Sequence, residues 1–566
     1  MVDKNNITLP LEWFLHWADV KPKDIFLRQP VNGHWNEFSW QDAAILAKNI
    51  AQNLSSMGFE RGDRIAILSK NCAYWVVADI ALQLGGFISV PLYTDQSEDN
   101  FKYILDNANC KAIFLGKLDK DLWLRYKSSL PTSVTKIFFP FMGSAGDCQK
   151  TLDLPKSYSW NDITFSDKVD GYDVNLPTSD DIWTILYTSG TSGVPKGVVH
   201  TYRGVASCRA ALQTELELSE RDRFFSYLPL AHAVERLLLE TNALFFGISI
   251  SFTESLDTFQ DDLKSSQPTL FFSVPRIWKK LQLGILDKLS EAKLRFLLTL
   301  PIVNRLVAKK VRNQLGLSSA RLILSGAAPI SVSTLQWFKK LGIHILEGYA
   351  LTENFSYGCV NTRLHNKIGS VGKPLPNSGF KLASNGEILF KSELVMQGYY
   401  LNDELTKDAF DEDGYFKTGD LGYVDSDGFV FIKGRTKEIF KTAKGEYVAP
   451  VSIENKLMAE HTCEQVCVMG AGLEQPMAII TSPALRDCDE SKQYLETLLT
   501  KINASLLNHE KLSKIVIFPE SWTPENGIMT PTLKVKRASL ENKINTEYSH
   551  QLASADSVVF LSKPSM

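Results

Sequence analysis

No apolar run in this chain of 566 residues is long enough to cross a bilayer. The longest, around Ala243 to Phe252, reads as a buried strand. The opening MVDKNNITLPLEWFLHW lacks a basic stretch followed by an apolar core and a small-residue cleavage site, so no secretory signal is expected. Cysteine is scarce and scattered. Among the eight, Cys463 and Cys467 have no second pair at zinc-ligand spacing, so buried reduced thiols are expected rather than a metal centre or a disulfide framework. An excess of charge of one sign is also missing: the formal net charge is -3, too small for a global field that would gather nucleic acid or an anionic surface. Any anion site must be local, and the expected setting is cytoplasmic.

What is present is an ordinary globular composition, 44% hydrophobic and 22% charged. At this length one core stops growing, so two or more domains are expected. The first third alternates helical and strand patterns as parallel α/β domains do. Ser39 stands three residues before Asp42 in a capping-box start; Leu46, Ile50 and Leu54 line one helical face, and Gly58 is a fitting stop. Ile65 to Leu68, Phe87 to Leu92 and Lys111 to Leu115 read as strands, and Ala73 to Leu84 as a helix. The middle repeats the unit through FGISISF, TLFFSV, a helix from Pro275, RLILSG, a helix from Ser331 and IHILEGY. Two successive α/β layers are the simplest architecture.

Between Lys288 and Leu315 runs a basic amphipathic stretch interrupted by Pro301, a candidate for peripheral membrane contact against the plainer reading of a solvated helix pair. Near Gly434 the units shorten, with a helix from Pro450 and strands near Val466 and Ala478. That predicts a large domain over 1–433 and a small α+β domain over 434–566. The last twenty or so residues carry no strong pattern.

The densest chemistry is YTSGTSGVPKGV, Tyr187 to Val198, which follows the apolar strand IWTIL. Glycines let backbone N–H groups approach phosphate oxygens, hydroxyls donate further bonds, and Lys196 supplies charge. It differs from the Walker-type loop because Lys196 is followed by Gly197, not Ser or Thr.

The ordered series YTSGTSGVPKGV, YLPLAHAVER (Tyr227 to Arg236), LSGAAPI (Leu324 to Ile330), EGYALTEN (Glu347 to Asn354), YFKTGDLG (Tyr415 to Gly422), GRTKEIFKTAKGEYVAP (Gly434 to Pro450) and TPTLKVKR (Thr530 to Arg537) resembles the adenylate-forming superfamily. YLPLAHAVER and VPRIWKK (Val274 to Lys280) are most similar to its long-chain acyl-CoA synthetase branch. The resemblance implies an adenylate-forming fold with a small mobile C-terminal domain, and an ATP-dependent ligase that turns a medium- to long-chain fatty acid into acyl-AMP and then acyl-CoA. Its alternatives are an acyl-AMP ligase loading a separate carrier protein, or a catalytically silent nucleotide-binding homologue. No nucleic acid partner is implied.

Residue by residue, the resemblance implies that Thr188, Ser189, Gly190, Thr191, Ser192 and Lys196 wrap the β- and γ-phosphates. Gly326 and Ala327 of LSGAAPI line the nucleotide site, Tyr349 lies against adenine, Thr352 contacts the α-phosphate and Glu353 holds Mg²⁺. Asp420 accepts the ribose hydroxyls, and Arg435 adds a ribose or phosphate contact. His232 sits near the carboxylate or the ATP pocket, and Lys534 is the catalytic lysine, with Lys536 and Arg537 as alternatives. Lys437 is the hinge, and Gly445 lines the pantetheine tunnel for CoA. Two departures from the family pattern are Leu533 and Ala350, each where glycine is usual.

Overall fold

The computed structural model describes residues 9–140, 154–165, 176–189, 194–460, 462–523, 526–530 and 534–563; the side chain of Ser189 falls outside that description. Among these residues the N-terminal part is built on two large sheets. One has eight strands, centred on Arg64–Leu68, Ile88–Leu92 and Ile182–Ser189; the other has nine, centred on Arg223–Ser226, Leu270–Ser273, Leu322–Ser325 and Ile345–Tyr349. Most neighbours are parallel, as βαβ crossovers require. The two α/β layers read from the sequence are therefore both present.

Local signals account for several boundaries. Ser39 Oγ accepts the Asp42 N–H at 3.1 Å while Asp42 Oδ2 accepts the Ser39 N–H at 2.9 Å, closing the capping box of helix Trp40–Ser56. Ala73–Leu84 is a helix over the expected range. Its near-continuous burial between the sheets suits an element apolar all round.

One strand expectation fails. Residues Asn242–Phe246 form a helix, and only Ser249–Phe252 is a strand. Gly247, at φ 68°, ends that helix in the left-handed conformation that glycine adopts without a Cβ penalty. An apolar run alone does not separate a buried helix from a buried strand.

A third sheet went unread: Lys381–Leu382, Glu387–Phe390, Phe416–Val424 and Val430–Arg435 pair antiparallel around Ile388, Phe390 and Val430. Its last strand runs into Gly434, whose φ of 150° is a backbone state that an L side chain rarely adopts. Beyond it, helix Pro450–Met458 and the strands Gln465–Met469, Met477–Thr481 and Lys514–Ile517 enclose separate cores. The C-terminal tail supplies Val558–Phe560, which pairs in parallel with Lys514–Ile517. Side chains of the large domain reach across: Lys279 Nζ donates to the Glu460 carbonyl at 3.2 Å, and Ser333 Oγ to that of Ala459 at 3.2 Å.

Among the described residues no helix is long and apolar enough to cross a membrane. Six of the seven described cysteines are buried and Cys488 is exposed; Cys148 lies outside the described residues.

Candidate active site

The motif YTSGTSGVPKGV contributes residues to both strands of a hairpin. Ile182–Ser189 pairs antiparallel with Pro195–Thr201, and Thr188 stands opposite Lys196. Gly190, Thr191 and Ser192 lie outside the described residues. Gly197 is required by proximity, since a Cβ there would come within 2.8 Å of the Ile185 side chain. The ammonium of Lys196 sits 5.5 Å from the centre of the Tyr399 ring.

Tyr399 connects this loop to EGYALTEN. Its strand, Gly398–Tyr399, pairs with Pro195–Thr201 through Val198 and Val199. Its hydroxyl donates to Glu353 Oε1 at 3.0 Å, and the Met396 N–H donates to the Glu353 carbonyl at 2.7 Å. The Glu353 carboxylate is thus held on one oxygen, while Oε2 has no hydrogen-bond partner among the described residues. Beside it, His200 Nε2 lies 2.8 Å from the Thr352 carbonyl, which can only accept, so the ring nitrogen carries the proton. Burial pulls the His200 pKa down to about 4, and the imidazole is neutral at physiological pH.

Tyr349 and Asp420 meet directly. The Tyr349 hydroxyl donates to Asp420 Oδ2 at 2.6 Å, and Arg435 Nε donates to Oδ1 at 2.8 Å from the adjacent strand. Asp420 is only 4% exposed, so these donors hold its carboxylate in place. A carboxylate offers about four lone-pair directions, which leaves capacity for further donors. Burial and the neighbouring Asp420 charge push the Tyr349 phenol upward, keeping it a donor.

Gly326 and Ala327 follow the strand Leu322–Ser325. A Cβ on Gly326 would lie 3.1 Å from the Gly348 carbonyl, and Ala327 holds φ at 66°, a conformation that non-glycine residues avoid. In YLPLAHAVER, His232 caps a short helix: its Nδ1 accepts the Val234 N–H at 3.1 Å, which leaves Nε2 as the protonated nitrogen. Desolvation first, and then the nearby positive charge of Lys534, pull its pKa down to about 3.

Lys534 comes from the C-terminal domain. The Thr530 N–H donates to its carbonyl at 2.8 Å, and its own N–H donates to Thr530 Oγ1 at 3.0 Å. The residue has an exposed surface, yet loss of water around the ammonium lowers its pKa. Arg435 pushes the same way, while Asp420, Glu353 and Glu438 oppose. Lys534 therefore lies within electrostatic reach of Glu353, Asp420 and His232 together. Of its two alternatives, Arg537 is committed elsewhere, on Glu454 at 2.8 Å, whereas Lys536 caps helix Arg537–Glu547 through its backbone.

Lys437 lies in the single turn Thr436–Glu438, just past the third sheet. Gly445, at φ 86°, is exposed at the tip of the hairpin formed by Phe440–Lys441 and Tyr447–Val448.

The geometry joins the hairpin, EGYALTEN and the third sheet around one polar region. Residues 14–400 match the AMP-binding enzyme family and residues 437–551 match the AMP-binding enzyme C-terminal domain. The chain belongs to the AMP-binding enzyme family. Long-chain-fatty-acid--CoA ligase 1 of Cavia porcellus is 30% identical, over 90% of this chain and 81% of its own length. Long-chain-fatty-acid--CoA ligase FadD15 of Mycobacterium bovis is 27% identical, over 94% of this chain and 95% of its own. Among solved structures, the adenylation domain of a carboxylate reductase from Mycobacterium chelonae superposes with a TM-score of 0.81 at 20% identity, covering 98% of this chain and 92% of that one. An anthranilate CoA ligase in complex with anthranoyl-AMP gives 0.77 at 20% identity, covering 94% of this chain and 96% of that one. These likenesses establish the adenylate-forming fold.

Tyr399, His200 and Arg236 were not singled out from the sequence. His200 lies on the second strand of the hairpin and Tyr399 on the strand paired with it, and tracing that hairpin is the signal that finds them.

Proposed function

We propose that this chain activates a medium- to long-chain fatty acid with ATP and passes the acyl group to CoA. In the first step a carboxylate oxygen attacks the α-phosphorus, a mixed carboxylic–phosphoric anhydride forms, and the bond to the bridging oxygen breaks so that pyrophosphate leaves. In the second the CoA sulfur attacks the acyl carbonyl carbon, a thioester forms, and AMP leaves. The observation that carries the reading is that the hairpin, Glu353 held on one oxygen by Tyr399, and the buried Asp420 held by Tyr349 and Arg435 border one polar region, to which Lys534 of the C-terminal domain would add positive charge where carboxylate and α-phosphate otherwise repel. The long-chain ligase relatives support the acid class.

Thr188, Ser189, Gly190, Thr191, Ser192 and Lys196 would cradle the β- and γ-phosphates. Tyr349, Gly326 and Ala327 would border the adenine, Thr352 would meet the α-phosphate, and Asp420 with Arg435 would hold the ribose. The free oxygen of Glu353 suits Mg²⁺, a hard cation usually bound by one or two carboxylates plus substrate phosphates. When bound, the ion neutralises phosphate charge. His232, neutral with Nε2 protonated, is a donor for the acid or the nucleotide. The setting is cytoplasmic with peripheral membrane contact, because ATP and CoA are aqueous solutes whereas long acids partition into bilayers.

Product analysis tests the reaction: AMP and pyrophosphate should form from ATP with an aliphatic acid, and acyl-CoA should follow with free CoA. ADP would reject adenylation, and transfer only to a carrier protein would reject CoA as the acceptor.

Asp420→Ala should raise the ATP dissociation constant about ten-fold or more, since hydrogen bonds to a charged group contribute roughly 1.5–3 kcal/mol each. Equilibrium binding of ATP to the folded variant checks this, and unchanged affinity would reject the ribose assignment.

We place the domain boundary at Gly434 and a hinge at 434–437, about which the C-terminal domain turns between the two half-reactions and brings Gly445 toward the nucleotide. Lys437→Pro fixes φ at that position and so restricts rotation about the turn Thr436–Glu438. Adenylation should persist in this variant while transfer to CoA slows. Equal loss of both steps would count against a hinge there.

A further inference from the structure

The basic stretch after Lys288 folds as two helices, Glu291–Thr299 and Val303–Gln314, that pack on each other. Residues 288–315 hold seven Lys or Arg against one Glu, in a chain whose net charge is -3. The second helix has a half-buried face and an exposed one. Val307 and Val311 pack on the core, whereas Ile302, Arg305, Leu306, Lys309, Lys310 and Asn313 fall on the outer face at helical spacing and are all exposed. Ile302 is 73% exposed and Leu306 62%, which is unusual for large aliphatic side chains on a face otherwise given to lysine and arginine. On the preceding helix Phe296 is exposed as well, at 62%.

Ile302 is also strained. Its φ is 69° and ψ -50°, and the Val303 N–H donates to the Pro301 carbonyl at 2.9 Å, which makes Pro301 to Val303 a γ-turn of the rare positive-φ kind. A β-branched residue there is a true outlier, and its side chain gains no core contact in return. Among the described residues no carboxylate forms an ion pair with Arg305, Lys309 or Lys310. Lys309 and Lys310 join Lys264, Leu306, Asn313 and Gln314 around an open cleft of about 450 Å³.

We propose that this face docks on the surface of a bilayer containing acidic phospholipids. Headgroup phosphates lie against Lys264, Lys309 and Lys310, and Ile302 and Leu306 enter the headgroup boundary. Charge complementarity selects this occupant. A second copy of the same face would bring like charges together, and a nucleic acid would leave the aliphatic side chains without a partner. Basic residues with aliphatic neighbours on one helix face match what interfacial attachment requires. The proposal does not depend on the reaction assigned above, because attachment is read without ATP, acid or CoA.

Co-sedimentation of the full chain with vesicles tests it, using phosphatidylcholine alone and phosphatidylcholine with an equal part of phosphatidylglycerol. Binding is expected only to the second, weakening as salt rises. Each basic residue near an anionic surface contributes about five-fold, so joint replacement of Arg305, Lys309 and Lys310 by Ala should lower partitioning by about 10²-fold and flatten the salt dependence. Leu306→Ser should weaken binding about ten-fold while leaving the salt dependence in place. Turnover of a short, water-soluble acid should be unchanged in both variants, showing that they fold. Equal binding to both vesicle types, binding to neither, or unaltered binding by the triple variant would overturn the proposal. Retention on an oligonucleotide without retention on vesicles would overturn it as well.

Discussion

Lys534→Ala is expected to lower the rate of acyl-adenylate formation on the order of 10²–10³-fold, the usual loss when one preorganised electrostatic partner is removed. It should leave the conversion of supplied acyl-adenylate and CoA to acyl-CoA close to the unaltered rate. The asymmetry follows from position. The ammonium reaches Glu353, Asp420 and His232 from the far domain in the arrangement described, and a turn about residues 434–437 would carry it away before the thiol attacks. Pyrophosphate release reads the first step and thioester formation the second. Lys536→Ala controls for loss of positive charge alone, since that residue serves chiefly as a backbone cap. A fall in both steps for Lys534→Ala, or loss of adenylation in the Lys536 variant instead, would overturn the assignment.

The second large effect concerns stability. Arg236 is fully buried, and its guanidinium meets Asp79 at 2.8 Å and Glu240 at 2.9 Å, both carboxylates fully buried too. The rings of Trp183 and Trp75 lie 4.3 and 5.1 Å from it. Glu240 and Arg236 share one turn of π-helix, Arg236–Thr241, whose wider winding is common at sites under functional or packing constraint. Burial drives the Glu240 carboxyl far above its ordinary range. Arg236→Leu removes the cation from two buried acids and should cost about 3–5 kcal/mol. Urea unfolding followed by tryptophan fluorescence checks this, because Trp75 and Trp183 report from the cluster itself. A change below about 1 kcal/mol would mean that the surrounding apolar contacts, not the charges, hold this part of the core.

Long elements with local punctuation were legible in the sequence. Ser39 with Asp42 marked one helix start, Ala73 to Leu84 another element whole, and the apolar runs in both sheets, except the one from Ala243, became strands where they were expected. Short strands were not. Lys381–Leu382 and Gly398–Tyr399 span two residues each, and Val558–Phe560 spans three, too few for a period-two pattern to show. What fixes them is partners far along the chain.

The site divides in the same way. Motif order named Glu353, Asp420 and Lys534, but which groups hold them was hidden. Tyr399 reaches Glu353 across 46 positions, and His200 meets the Thr352 carbonyl across 152. Arg236 was visible only as the last letter of YLPLAHAVER. Its acids lie on another helix and a turn further on, and a single sequence does not reveal which charges burial will bring together.

The strand Ile25–Val31 pairs in parallel with Ser249–Phe252, Leu27 opposite Ile250, and so belongs to the nine-stranded sheet, although the strands that follow His34–Ser39 in the chain, from Arg64 to Thr201, build the eight-stranded one. On a ribosome making about 5–20 residues per second, the first strand waits roughly 10–45 s before its partner has been synthesised. Through that interval its other neighbour, His34–Ser39, offers only a two-stranded ribbon, which is marginal in water. Seven of the eight strands of the eight-stranded sheet are synthesised meanwhile, so the order of synthesis and the order of assembly differ. A strand made early is thus locked late, and until then its edge is exposed to pairing with other chains.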